Sequence, residues 1–267
     1  MARWFRRSGG DGAARQGAAA PPASAEEPLA LADRLRLEYG RTGDPALLVR
    51  AAQAAETAAG LYPAEDLRHA SALSALCMLH RLRWEHERDT RLLERSLEYG
   101  RRSVEDSPPG DDNLPRHMSA LATSLQESFD QGGRQQDIDE AIVLYRACLD
   151  LLPGDHAERA GIESNLANSL LRRARKYPDP AVLDEAVRHA RAALAATPPD
   201  DPMHAARLVN LGGVLFSLAQ SGQLNHLIEA HEMYERGLRG LPRGHPARGQ
   251  VEGAVRRLRQ LRQRFGF

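Results

Sequence analysis

Cysteine and lysine are almost missing from this chain: Cys77, Cys148 and Lys176 are the only such residues among 267. Two cysteines cannot build the disulfide framework that holds small secreted domains together. Aromatic residues make up 5 % of the sequence. A core short of large rings has to close by near approach of segments over small side chains. Neither sign of charge is in excess, because 36 basic residues offset 36 acidic ones. That balance argues against strong nonspecific binding to nucleic acid, which needs a basic surface. No apolar run approaches a membrane span. The first arginines have no apolar stretch behind them, unlike a secretory signal, so the cytoplasm is the compartment to expect. HExxH, CxxC and a Gly-rich phosphate loop are all missing.

What is present is a repeat. Pro63, Pro108, Pro153, Pro198 and Pro242 recur every 45 residues, with one slip to 44. Twelve residues before each stands a small residue: Ala51, Ser96, Ala141, Ala186 and Ala230. Farther upstream runs a leucine column, Leu31, Leu76, Leu121, Leu166 and Leu211, each followed by Ala32, Cys77, Ala122, Ala167 or Gly212. Both cysteines fall in columns of small residues, Cys148 sharing its place with Ala58, Ser103, Ala193 and Gly237, and so read as buried small hydrophobes. Four columns in register over five copies define an internal repeat, in which each unit buries its apolar face against its neighbours.

The apolar positions within a unit are helical in period. After the Leu-small pair come Leu35, His80, Leu125, Leu170 and Leu215, and one turn later Tyr39, Trp84, Phe129, Ala174 and Ala219. A second helix carries Leu48, Leu93, Ile138, Leu183 and Leu227, then the small column three residues on. Asp44-Pro45 and Asp179-Pro180 have a capping acceptor followed by proline at the first helical position; Leu114-Pro115 and Asp201-Pro202 are read the same way. The prolines at the repeat period mark the end of each second helix, since proline lacks a donor and disfavours helix before it. The expectation is an all-α solenoid of about five helix-turn-helix units, near 29–65, 66–110, 111–155, 156–200 and 201–245. A polar capping helix over 246–267 closes it, where Arg256 replaces the small residue. Residues 1–28, rich in Gly and Ala and opening on Arg3-Trp4-Phe5-Arg6-Arg7, read as a disordered lead, either a solvated tail or a short partner motif.

The Leu-small pair, the later Ala column, the position four residues on (Ala55, Gly100, Tyr145, Ala190, Tyr234) and the proline twelve residues past the Ala resemble the tetratricopeptide repeat over about residues 29–242. That family's unit is 34 residues, so the surplus lies in the loops. Asn-Leu-Ala-Asn (165–168) and Leu-Asp-Glu-Ala (183–186) resemble extended repeats of actinobacterial proteins, which often stand beside caspase-like or signalling ATPase domains. The resemblance implies a right-handed superhelix whose concave groove, lined by the first helices, holds a peptide or protein segment. By position it implies groove contacts from Asp33, Arg36, Met78, Arg81, Thr123, Gln126, Asn168, Arg172, Gly213 and Phe216. One groove type of that family grips a C-terminal carboxylate with Asn and Lys or Arg. Asn165, Asn168 and Asn210 hold suitable positions, but Ser164 stands where the lysine would be. The three asparagines fit equally a role in bonding neighbouring units.

The ten histidines do not form a metal or catalytic pattern: His80 and His86 are six apart, and His226 and His231 five apart. The sequence therefore implies a non-catalytic interaction scaffold with no cofactor and no metal, which binds a protein or peptide partner. Two alternatives stay open. One is an RNA-binding helical repeat, motivated by Arg36, Arg81 and Arg172 on the groove face. The other is the regulatory subunit of a separately encoded protease or signalling ATPase.

Overall fold

The computed structural model describes residues 26–266, and the Arg-Trp-Phe lead lies outside the described residues. Eleven α-helices fill them: α1 (Glu26–Thr42), α2 (Pro45–Leu61), α3 (Leu67–Glu87), α4 (Thr90–Glu105), α5 (Leu114–Gly132), α6 (Gln135–Leu151), α7 (Arg159–Lys176), α8 (Pro180–Ala195), α9 (His204–Gln220), α10 (Leu227–Gly240) and α11 (Arg248–Phe265). A short 3-10 turn, Leu224–His226, precedes α10. No strand occurs among the described residues. Each odd helix from α1 to α9 packs against the even helix that follows it, and each even helix packs against the next odd one. The chain is an all-α solenoid of five helix pairs and a terminal helix.

The turns between pairs explain why the prolines recur. The carbonyls of Pro63, Pro108, Pro153, Pro198 and Pro242 accept the N–H three residues on, from Asp66, Asp111, His156, Asp201 and His245, at 3.0–3.2 Å. The side chain of each of these five residues accepts the N–H two residues farther on: Arg68 (2.9 Å), Asn113 (2.8 Å), Glu158 (3.2 Å), Met203 (2.7 Å) and Ala247 (3.2 Å). Aspartate and neutral histidine thus serve as interchangeable acceptors for otherwise unpaired donors at a helix start. The proline does more than stop the preceding helix; it begins the turn that aims the next one.

The residue opening the following helix reaches back to close the carbonyls just left. Arg159 donates to Leu149 O (2.8 Å) and Leu152 O (3.0 Å), and Arg248 to Leu238 O (3.0 Å) and Leu241 O (2.9 Å). His69 bonds Ala59 O (3.1 Å) and Tyr62 O (3.2 Å), and His204 bonds Thr197 O (2.9 Å). Leu114 occupies this column in the remaining copy, and there His117 bonds Ser107 Oγ instead (2.9 Å). Donors at a helix C-terminus meet both the open carbonyls and the negative end of the helix dipole. One expected boundary moves for the same reason. α9 begins at His204 and not at Pro202, because Asp201 already receives Met203 N and leaves Pro202 inside the turn.

The small columns lie at the helix contacts. Ala51, Ser96, Ala141, Ala186 and Ala230 are all fully buried, as are Cys77, Ala122 and Ala167 of the Leu-small pairs. At Gly212 a Cβ would come within 3.0 Å of the Tyr234 ring, so glycine there lets that ring pack close to the helix. Cys77, Ser96 and Ser124 form a buried polar cluster: Ser96 Oγ donates to the Cys77 carbonyl (2.6 Å) and meets Ser124 Oγ at 2.8 Å. In α11, Val251, Val255 and Leu258 are buried against α10 while Arg256 is exposed, as a terminal cap requires.

His80 departs from its leucine column. It is buried, stacks on Tyr99 with ring centroids 5.4 Å apart, and neither ring nitrogen has a partner. Burial, reinforced by Arg83 and Arg95, pushes its pKa down to about 4 from 6.5. Below pH 6.5 the unfolded chain takes up a proton that the folded chain refuses until about pH 4, so His80 withdraws stability as pH falls through that window.

Two outcomes follow for stability. Ala186→Leu should cost about 1–3 kcal/mol by overpacking, read as a lowered urea midpoint; an unchanged midpoint would remove Ala186 from the helix contact. His80→Leu should raise stability at pH 7 by about 1–2 kcal/mol, since it removes unpaired buried nitrogens. Its advantage over the parent should grow as pH falls from 6.5 toward 4, and urea titrations across that range that show a constant difference would contradict the account.

Candidate functional site: the groove of the odd helices

The odd helices border two hollows that share no lining residue. The solenoid curls far enough for Arg36 of α1 and Arg207 of α9 to line a single cavity of about 510 Å³, with Met78 and Arg81 from α3, Arg116 and Thr123 from α5 and Asn165 from α7. Toward the C-terminus a second hollow of about 960 Å³ is lined by Asp130, Asn168, Arg172, Arg175, Phe216 and Arg257, with Tyr234 on its wall. The stretches between repeats also contribute, through Glu158 and Asp201.

The structure brings most of the sequence-derived residues to these hollows, but in different states. Met78, Thr123 and Asn168 are half-buried on the walls. Asp33 is exposed and borders a smaller hollow beside Arg36. Each of the three expected arginines already has a carboxylate: Arg36 pairs with Asp33 at 2.7 Å, Arg81 with Glu85, and Arg172 with Asp130. A free row of guanidinium groups on those three positions is therefore not what the groove presents. Gly213 is buried, leaving room for the Tyr234 hydroxyl, which would sit 3.3 Å from a Cβ there.

Gln126 and Phe216 are more enclosed than a groove contact needs, each about 7 % exposed. Phe216 belongs to the hydrophobic core and shows only an edge to the C-terminal hollow. Gln126 ties adjacent units together: it donates to Ser169 Oγ (2.6 Å) and Asn165 O (3.3 Å) and accepts from the Tyr145 hydroxyl (3.1 Å). Tyr145 is fully buried and also meets Thr123 Oγ1 at 2.9 Å, and burial pushes its phenol far above the ordinary range. Among the asparagines, Asn210 donates to Ser164 Oγ (2.9 Å) between units. The side-chain amides of Asn165 and Asn168 line the hollows and make no hydrogen bond among the described residues.

Sequence reasoning missed Arg116 and Arg207. Arg207 had a signal: it stands in one column with Ala72, His117 and Ile162, all buried, so a charge there is out of place. Arg207 is itself about 9 % exposed, and its Nε has no partner. Burial lowers the pKa of both Arg172 and Arg207 from arginine's usual value.

Reactive side chains elsewhere are held in inert settings. Ser107, His117 and Asp111 lie together, but both oxygens approach the same ring nitrogen of His117, Ser107 at 2.9 Å and Asp111 at 3.6 Å. A nucleophile-base-orienter relay needs the two ring nitrogens to serve different partners. Ser107 moreover donates to Ser103 O (2.7 Å). Cys148 donates to Pro115 O (3.1 Å), and burial pushes its thiol up to about 12, away from nucleophilic thiolate. Cys77 is likewise buried and raised by desolvation. Five of the ten histidines, His69, His117, His156, His204 and His245, serve turns and helix ends. No group of ligating side chains that could hold a metal occurs among the described residues.

The contrast between Gln126 and Asp33 is testable. Gln126→Leu should cost about 1–2 kcal/mol, because Tyr145 and Ser169 lose a buried partner. Asp33→Ser, at the rim, should stay within about 0.5 kcal/mol. Equal urea midpoints for the two variants would place Gln126 at the surface.

No protein-family model matches the sequence, and no curated protein matches it. Among solved structures, the chain is similar to BtubC (BKLC) from P. vanneervenii, with 20% identity, 92% of this chain and 93% of that chain covered, and a TM-score of 0.39. It is also similar to the de novo designed helical repeat protein DHR64, with 17% identity, 89% and 96% covered, and a TM-score of 0.25. The chain of the DHF79 filament is 20% identical, with 89% and 97% covered and a TM-score of 0.24.

Proposed function

We propose that this chain is a non-catalytic interaction scaffold of tetratricopeptide-like type that holds a peptide or protein segment along the groove of its odd helices, in the cytoplasm. The observation that carries the reading is the pair of wall amides, Asn165 and Asn168, which the protein's own hydrogen bonds leave available. An asparagine amide offers a donor and an acceptor together, the match for one peptide unit of an extended segment. Asn165 and Asn168 lie three residues apart on α7 and face the two hollows in turn, so one segment running along the groove would meet both. No helix among the described residues is long and apolar enough to cross a membrane. The reactive groups sit in the settings described above, which suit a binding surface better than a reaction centre.

The test uses random peptides displayed on phage and selected on the immobilised protein. Enriched peptides, synthesised and titrated, should bind the parent and lose about tenfold or more against an Asn165→Ala/Asn168→Ala double variant, while its melting stays close to the parent's. Failure to enrich any peptide, or equal affinity for the double variant, would overturn the groove reading.

A further inference from the structure

Arg207 reaches the groove from a core position. Its column neighbours Ala72, His117 and Ile162 are buried against adjacent helices. The guanidinium passes beside Gly161, where a Cβ would lie in ordinary contact, 3.9 Å from the Arg207 terminal nitrogen. The side chain forms no hydrogen bond or ion pair among the described residues, its Nε is shut off from water without a partner, and Asp201 acts on it only through space. Burying a guanidinium unpaired is costly, and such a group is stabilised by any anion that reaches it. Arg116, exposed on the same cavity, has no carboxylate in ion-pairing range among the described residues. Arg36 and Arg81, which border that cavity as well, are already paired within the protein.

We propose that Arg207, with Arg116 across the cavity, forms an anion subsite that takes a side-chain carboxylate of an internal acidic peptide segment lying in the groove. The proposal rests on the groove reading above and names its ligand class. A guanidinium receives a carboxylate through two parallel N–H bonds, so a preplaced arginine selects that group over a neutral side chain. The same cavity carries Glu158 and Asp201, and no aromatic side chain lines it. A single-stranded nucleic acid would find no ring to stack on there. A peptide carboxylate needs no such ring. The neutral charge of the whole chain hides this local excess of arginine.

The probe is hexaglutamate, fluorescein-labelled at the N-terminus and amidated at the C-terminus, titrated against the full chain by anisotropy. The amide should bind, hexaglutamine amide should not, and affinity should fall as salt rises. Arg207→Met keeps the apolar stem and should lower affinity about tenfold or more with melting unchanged or raised. Arg116→Gln, at an exposed position, gives a second variant whose folding is not at issue and should also weaken binding. Equal affinity for parent and both variants would overturn the proposal. So would binding of a hexaglutamine peptide with a free C-terminus in place of the hexaglutamate amide, which would assign the subsite to a chain terminus. Binding of oligouridylate alone would assign the surface to nucleic acid. Phage-selected peptides that depend on Asn165 and Asn168 but carry no acidic residue and ignore Arg207→Met would leave the groove reading standing and overturn this one. An absence of any binding peptide would overturn both.

Discussion

Every even helix ends with carbonyls facing no partner, and every following odd helix begins with N–H groups in the same position. The stack depends on closing both sets within one short turn. A proline carbonyl fixes the turn, an aspartate or histidine side chain receives the new helix's N–H, and an arginine or histidine at the next helix's start reaches back to the old helix's carbonyls. These groups would otherwise be buried unpaired or left to water, and each such loss costs about 1–3 kcal/mol when the group is buried. Because the proline turn and its side-chain acceptor recur between successive pairs, each pair is set on the last by the same kind of turn, and a solenoid follows.

The curl of that solenoid creates the groove. Residues near opposite ends of the sequence, Arg36 and Arg207, come to border one cavity although three helix pairs stand between theirs. Charge is sorted by this geometry. Ion pairs such as Arg146–Glu185 (2.8 Å) and Arg191–Glu229 (2.8 Å) join successive even helices on the other side of the stack, whereas Arg116 and Arg207 line the hollow with Glu158 and Asp201 but form no ion pair among the described residues. A chain with no net charge thereby acquires a local field, which governs encounter with charged segments more than total charge does.

Polar groups inside the stack do a different job. Gln126, Tyr145, Thr123 and Ser169 form a connected network across α5, α6 and α7, and Cys77, Ser96 and Ser124 another across α3, α4 and α5. Apolar columns alone would tolerate sliding of one pair over the next, since hydrophobic burial has little direction. Hydrogen bonds at fixed positions make the register specific. His80 lacks such partners and stands out as the buried polar group that lowers stability without an evident return.

Helix, small-residue contact and repeat period were all legible in the sequence, because they depend on spacing within about ten residues and on side-chain size, both of which recur in print. The column through Ala141 and Ala186 is buried as its period implied, and so is that through Leu166 apart from the half-buried Leu31. The Asp/His and His/Arg columns that close the turns were equally periodic, but aspartate and histidine look unrelated until both are seen accepting the same N–H. The groove residues were legible only as positions on a helix. Whether Gln126 faces a neighbour or the hollow, whether Arg172 is paired, and whether Arg207 reaches the cavity are set by how far each pair rotates on the last. That rotation sums small packing differences over many residues, which no single column records, so the tertiary structure alone decided which polar groups the groove would offer.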